Sequence, residues 1–317
     1  MRIMTNDSSH GRESSSTDSK HALLGRLAPT PSGFLHIGNA FGFCLTWLLV
    51  RSRPDGRLLL RIDDLDAARK RQDYVEDIFY SLDWLGLDYD LGPGGPDDFE
   101  AHWSQQHRLD LYDTALNLLD DRQQLFACHC SRTSIRQSPD GLHPRACKQQ
   151  RERISTAADG TAWRIDTSDA RSSWKDWDST SRIVDVDACM RDFVVRRKDG
   201  VPAYQVASVV DDGHFGVNLI VRGADLIEST AAQIWLSSLL PDDPLSVAAF
   251  HHHVLMTDET GQKFSKSEGA NSLRSMRLAG EGADTLYRGF SHLLGFDGPV
   301  SSSAEALEAF KARSERR

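Results

Sequence analysis

Three groups of residues in this chain have the types and spacing to do chemistry. Pro31-Ser32-Gly33-Phe34-Leu35-His36-Ile37-Gly38-Asn39 stands where an apolar strand should give way to an apolar helix. Gly33 and Gly38 would let backbone approach a ligand closely. A helix start offers unpaired N–H groups and a positive dipole end, which suits a phosphate, and His36 would add a donor there. Taken alone, the stretch also reads as a Gly-containing turn with a packed histidine. Further on, Lys263-Phe264-Ser265-Lys266-Ser267 lies between Gly261 and Gly269. Two lysines three apart in such a loop could close on a polyphosphate and neutralise a departing pyrophosphate. By itself it also reads as a solvated loop.

The third group is Cys128-His129-Cys130 with His143 and Cys147, a C-x-C followed by H-x-x-x-C. Three thiolates and one imidazole suit tetrahedral Zn2+, and four protein ligands with no open position describe a structural site. If Cys128 and Cys130 share a face, His129 points away, so His143 is the better fourth ligand. Buried free cysteines are the alternative. The remaining cysteines, Cys44 and Cys189, make the total odd in a chain whose N-terminus lacks the apolar core of a signal peptide. That favours metal over crosslinks.

These groups need elements to hold them. Residues 22–30 read as a short buried strand, 31–52 as turn residues followed by a helix, and GRLLLRIDDLD (56–66) as a buried strand ending in carboxylates. Strand, turn, helix and strand make a βαβ unit, which builds parallel sheets. Residues 74–87 read as an amphipathic helix and 107–125 as another. After a polar stretch over 151–192, regular pattern resumes with a strand at 192 and a turn at Asp199–Gly200. A strand over 216–226 and a helix over 229–240 follow, with Ser229 or Thr230 as its N-cap.

The wider composition constrains function less. Of the 317 residues, 39% are hydrophobic and 26% charged, ordinary for a globular enzyme. No apolar run reaches the ~20 residues of a membrane span, and 1–21 read as a polar, disordered extension, so the expected location is cytoplasmic. The net charge of −9 speaks against a general nucleic-acid binder without excluding a local basic patch.

Together, the H-x-G junction and the K-x-S-K-S loop resemble the two signatures of class I aminoacyl-tRNA synthetases. Arg26-Leu27-Ala28-Pro29-Thr30-Pro31-Ser32-Gly33 resembles the opening of the glutamyl/glutaminyl subgroup, and Arg61-Ile62-Asp63-Asp64-Leu65-Asp66 its R-I-E-D-[TL]-D strand end. Ala203-Tyr204-Gln205-Val206-Ala207, Val210-Asp211-Asp212 and Val221-Arg222-Gly223-Ala224-Asp225-Leu226 fit in the same order. The likeness runs over roughly 22–270.

The resemblance implies ATP-dependent activation of L-glutamate with Mg2+. It places Gly33, His36, Gly38, Asn39 and Lys266 on ATP, with His36, Lys263 and Lys266 in the catalytic role. Arg26, Thr30, Asp63, Tyr204 and Arg222 would line the amino-acid pocket, the arginines suiting a second carboxylate. Structural ion pairs for Arg26, Asp63 and Arg222, and a core position for Tyr204, are the alternatives. The subgroup usually has Ser where Thr30 stands and Glu where Asp63 stands. The shorter aspartate would reach the substrate ammonium directly or through a water. Relatives that carry zinc commonly have Tyr where His143 stands. Arg132, Arg136, Arg145, Lys148, Arg151 and Arg153 surround that segment and would face either phosphate or solvent.

The expected architecture is a Rossmann-like α/β catalytic domain over 22–104 and 193–250. A zinc-bearing insertion that contacts RNA would fill 105–192, and a helical segment with the KFSKS loop and tail 251–317. A glutamyl-tRNA synthetase carries a large anticodon-binding region beyond this loop, which the last fifty residues cannot supply. The chain therefore looks like the glutamyl-queuosine tRNA(Asp) synthetase family, whose acceptor is queuosine in the anticodon of tRNA(Asp). The alternatives are a shortened glutamyl-tRNA synthetase charging a 3′ end, an adenylate-forming ligase with a small-molecule acceptor, and an inactive RNA-binding module. No protein partner is implied.

Overall fold

The computed structural model describes residues 22–150, 152–154, 160–256 and 272–316. The Lys263–Ser267 loop and the N-terminal 1–21 lie outside them. Strand β1 is Leu24–Leu27, helix α1 Ile37–Arg51, strand β2 Arg57–Leu60, and helices α2 and α3 Gln72–Leu85 and Leu109–Asp121. A βαβ unit therefore does form from the first sixty residues. Strand β2 ends at Leu60, although the Arg61 and Asp63 N–H groups still donate to Leu27 O and Pro29 O at 2.9 and 2.8 Å, which keeps both side chains at the end of the sheet.

Strands β3 (Leu125–Cys128), β4 (Ala162–Ile165) and β7 (Val194–Arg196) form an antiparallel sheet in the order β3-β4-β7. Strands β5 (Arg171–Lys175) and β6 (Ser181–Asp185) form a hairpin. The hairpin touches the main sheet through a bridge between Asp176 and Phe250. Helix α4 (Tyr204–Phe215), strand β8 (Leu219–Gly223), helix α5 (Ile227–Ser238) and strand β9 (Ala249–His253) then complete a parallel sheet of order β2-β1-β8-β9. Three helices at Leu273–Leu278, Asp284–Leu293 and Ser303–Glu315 close the chain.

Why Leu58-Leu59-Leu60 is an unbroken apolar run follows from this order. Alternate side chains of a strand point to opposite faces. Leu58 and Leu60 enter the core under α1, α2 and the C-terminal helices, while Leu59 joins the one under α3, α4 and α5. Ile220 and its neighbours Leu219 and Val221 divide the same way. A parallel sheet covered on both faces demands such strands. Gly25 lets α1 sit tight on β1, since a Cβ there would stand 2.6 Å from Val50 Cγ2.

The strand order reverses between β1 and β8, and connections leave the C-terminal edge in opposite directions there. Such a switch point is where open α/β sheets leave a crevice for ligands. Helix α5 begins two residues before Ser229, with Leu226 at its N-cap. The expectation of a Ser229 or Thr230 cap is therefore corrected. A 3-10 turn at Ala224–Leu226 feeds the helix directly, and Thr230 Oγ1 lies inside the first turns, 3.0 Å from Leu226 O. Among the described residues no helix is long and apolar enough to cross a membrane.

Candidate active site and metal centre

A cavity of about 490 Å³ opens at the switch point. Its wall takes Arg26, Ala28 and Thr30 from the end of β1, Arg61 and Asp63 from β2, and Val221, Arg222 and Gly223 from β8. His36, Gly38 and Asn39 come from the start of α1, Tyr204 from α4, and His253 from β9. Four strand ends and two helices thus bring together residues far apart in sequence. Gly33 sits in the bend before α1 and does not line this cavity.

His36 is the N-cap of α1. Its Nδ1 accepts from the Asn39 backbone N–H at 3.3 Å, while its own N–H donates to Asn39 Oδ1 at 3.1 Å. No acidic residue stands in the first turn, so nothing there offsets the positive helix end. Gly38 keeps this corner open, since a Cβ would lie 3.0 Å from the His36 ring. This arrangement can hold an anion.

The floor is an array of buried charges. Asp212, fully buried, accepts from Arg26 Nε at 3.2 Å and Arg61 Nη1 at 2.6 Å. Asp211 accepts from Arg108 at 2.9 and 3.1 Å, from Tyr112 at 2.9 Å and from Gln105 at 2.9 Å. Burial would raise the Asp211 carboxyl, but the Arg108 and Arg61 guanidinium groups more than offset it and hold it below the usual range. Asp63 is gripped by Arg61 at 2.7 and 3.1 Å, and still reaches the cavity. Its burial, together with Asp211 and Asp212, outweighs Arg61 and raises its pKa.

Arg222 differs from the other arginines. It is 6% exposed, and Nη1 donates to Gln233 Oε1 at 2.8 Å and Thr230 Oγ1 at 3.3 Å. Its Nε and Nη2 are buried with no protein partner. Burial works against its charge, and Arg26 and Arg61 add to that, opposed by Tyr204 and Asp212. Two parallel N–H groups left unpaired in a buried guanidinium are costly unless a ligand carboxylate completes them.

A larger cavity of about 750 Å³ shares Thr30, Asp63 and Tyr204 with the first. Its far wall comes from Cys130, Ser131, Arg132 and Arg164, and its rim from Arg197 and Lys198. Tyr204, half exposed, stands between the two.

The metal-type cluster is built from the end of β3, the loop at His143 and the short helix Ala146–Gln150. Ligand atoms of Cys128, Cys130, His143 and Cys147 all lie within 4.8 Å of one another. Two donors each ~2.3 Å from a tetrahedral ion stand about 3.8 Å apart. Cys130 Sγ and Cys147 Sγ are 3.5 Å apart, and Cys128 Sγ and His143 Nε2 3.4 Å. The set therefore fits a zinc ion. His143 Nδ1 faces Asp192 Oδ2 at 3.3 Å, the outer carboxylate that ligating histidines commonly have. Burial opposes ionisation of Cys128, but His143 and the Arg164 guanidinium bring its thiol down to about 6. His129 bonds Glu152 instead, at 2.6 Å.

Arg145 and Lys148, among the surrounding cations, are engaged by carboxylates. Arg145 pairs with Asp187 and lies 3.7 Å from Asp192, and Lys148 pairs with Asp166 at 2.5 Å. Arg132 and Arg136 are exposed. Sequence reasoning missed Gly42, Thr46 and His253 on the cavity wall. Gly42, one helical turn beyond Gly38, was the available signal.

Residues 22–297 match the family described as tRNA synthetases class I (E and Q), catalytic domain. A protein of Symbiobacterium thermophilum named Glutamyl-Q tRNA(Asp) synthetase is 39% identical, over 90% of this chain and 91% of its own length. Glutamate--tRNA ligase 2 of Methylorubrum populi is 36% identical over 81% of this chain and 57% of its own. The crystal structure of glutamate-tRNA synthetase from Elizabethkingia anophelis superposes with a TM-score of 0.68 at 20% identity, over 91% of this chain and 66% of that one. With the anion-holding helix start and the arginine-lined crevice at the switch point, these similarities establish the family: the chain belongs to the class I tRNA synthetases of the E and Q group, which are ATP-dependent ligases, and contains their catalytic domain.

Proposed function

We propose that the protein activates L-glutamate as its adenylate and transfers it to queuosine in the anticodon of tRNA(Asp). The observation that carries the glutamate assignment is Arg222, buried in the smaller cavity with Nε and Nη2 unpartnered. A guanidinium so placed takes a side-chain carboxylate with two hydrogen bonds. Arg26 reinforces the positive field and Asp63 takes the ammonium, while Thr30 and Tyr204 bound the pocket.

ATP lies with its phosphates at the start of α1, near His36, Gly38 and Asn39, with Gly33 in the preceding bend and Mg2+ bound to the nucleotide. A glutamate α-carboxylate oxygen attacks the α-phosphorus as the bond from that phosphorus to pyrophosphate breaks. The nucleophile is already ionised, so no side-chain base is needed and the protein contributes position and charge. Lys263 and Lys266, outside the described residues, would neutralise the departing pyrophosphate. The acceptor enters through the larger cavity. One of its hydroxyl oxygens then attacks the activated carbonyl carbon, the bond from that carbon to the AMP phosphate oxygen breaks, and the hydroxyl proton passes to the departing phosphate. The shared residues Thr30, Asp63 and Tyr204 mark where the two substrates meet.

Cys128, Cys130, His143 and Cys147 hold one structural zinc. These four residues would hold the ion with no position left open, a structural role that would fix the wall carrying Ser131 and Arg132. The queuosine acceptor is supported by the Symbiobacterium relative, similar over 91% of its length. A second reading, transfer to a tRNA 3′ end, draws on the ligase of Methylorubrum populi. Labelled glutamate offered with tRNA(Asp) from cells that make queuosine and from cells that cannot separates them. Labelling of only the first supports the proposal; equal labelling of both overturns it in favour of the 3′ end.

A further inference from the structure

From Arg222 runs a line of hydrogen bonds through Thr230, His252 and Asp176, none of which lines the cavity. Arg222 Nη1 donates to Thr230 Oγ1 at 3.3 Å, and Thr230 Oγ1 meets His252 Nε2 at 2.8 Å. His252 Nδ1 meets Asp176 Oδ1 at 2.8 Å. Asp176 in turn accepts from Trp174 Nε1 at 2.7 Å and from Arg182 Nε at 3.0 Å, both on the β5–β6 hairpin. Thr230 is fully buried, as is the His252 side chain, and that of Asp176 is 2% exposed.

The directions along the line are set by chemistry. A carboxylate only accepts, so His252 Nδ1 carries the proton toward Asp176. Burial lowers the affinity of His252 for a second proton, against the pull of Asp176. The single proton of the Thr230 hydroxyl has two acceptors in reach, Leu226 O at 3.0 Å and His252 Nε2 at 2.8 Å; the nearer Nε2 of the neutral ring takes it, and the Thr230 oxygen is left to accept from Arg222. Each bond polarises the next. Asp212 Oδ2 is buried without a partner, and Asp212 acts on the charge of Arg222. Without Thr230, the Gln233 bond to Nη1 at 2.8 Å alone holds the guanidinium, among the described residues, against the pull of the Asp212 charge.

We propose that Thr230, His252 and Asp176 are positioning residues for glutamate. They hold the Arg222 guanidinium with Nε and Nη2 facing the cavity, and they link the amino-acid pocket to the β5–β6 hairpin. The proposal rests on Arg222 taking the substrate carboxylate. Preorganising a charged donor spares its ordering when ligand arrives.

Glutamate-dependent ATP–pyrophosphate exchange tests it. Thr230→Val should raise KM for glutamate about tenfold, the worth of a hydrogen bond to a charged group, with kcat and KM for ATP little changed. Thr230→Ser, which keeps the hydroxyl, should restore glutamate KM to within about threefold of the unaltered protein. Asp176→Asn, acting two bonds further back, should move the same constant in the same direction but less. In an Arg222→Ala background, Thr230→Val should change glutamate KM no further, because coupled residues are not additive. Unchanged glutamate KM in Thr230→Val, an equal rise in KM for ATP, or persistence of the effect without Arg222 would each overturn the proposal. Were the unaltered protein to show no glutamate-dependent exchange, the reading of the substrate itself would fall. Exchange that is normal in both it and Thr230→Val removes the positioning role alone.

Discussion

The arginine-lined cavity and the Cys3His cluster are both buried and polar, yet they are finished to different degrees. In the cluster the four donors turn on one another, and His143, the ligand with a second nitrogen, has Asp192 behind it. Both ring nitrogens of His143 are thus engaged, by Cys128 and by Asp192. In the cavity, Arg26 and Arg61 are satisfied by Asp212 and Asp63, but Arg222 keeps two buried N–H groups without one. A closed donor set holds structure, whereas an open one waits for substrate. Unsatisfied buried polarity distinguishes the two more sharply than residue type does.

The largest effect that would sharpen this contrast concerns the pyrophosphate side. Lys266→Ala should cut adenylate formation by about two to three powers of ten, the cost of one charge-stabilising donor, with glutamate affinity nearly unchanged. Near-normal exchange in that variant would remove the loop from catalysis. Arg222→Ala should raise glutamate KM by about thirtyfold or more, as losing a buried charged partner does, while metal content stays intact. An unaltered KM would mean that the open guanidinium is not the substrate contact.

From the other region, purified protein should hold about one zinc, and Cys147→Ser should lose it. Melting of the segment around β3 should then come earlier, because metal binding is folding free energy, and exchange should fall far less than in Lys266→Ala. Protein purified without chelators and found free of metal would contradict the closed site. Asp211→Asn should destabilise the fold by roughly 3–5 kcal/mol by leaving Arg108 uncompensated. The Asp211 pKa is lowered on folding, so its contribution is complete above the unfolded value near ~4 and is lost as pH falls through the folded value. An acid limb in the unfolding profile that survives in Asp211→Asn unchanged would assign it to other carboxylates.

Much of the frame was legible because it rests on local pattern. The Leu58-Leu59-Leu60 run could only be a strand covered on both faces, and the cysteine spacing already named the ligand set that the fold brings together. What escaped depends on distance in sequence. The β5–β6 hairpin is hidden in a polar stretch whose inward residues include Ser172, satisfied by Ala231 O rather than by apolar packing. Thr230 reads as a cap because caps and back-bonding threonines look alike until the partner, His252, is known. Arg145 and Lys148 read as facing phosphate or solvent until Asp187 and Asp166 are placed beside them.

The central claim is that the open guanidinium of Arg222 receives the glutamate side chain, and a crystal structure of the protein grown with glutamate tests it most directly. The account predicts the side-chain carboxylate against Nε and Nη2 of Arg222, with Nη1 still held by Thr230 and Gln233. Glutamate bound with that carboxylate elsewhere, and Nε and Nη2 still without a partner, would contradict it.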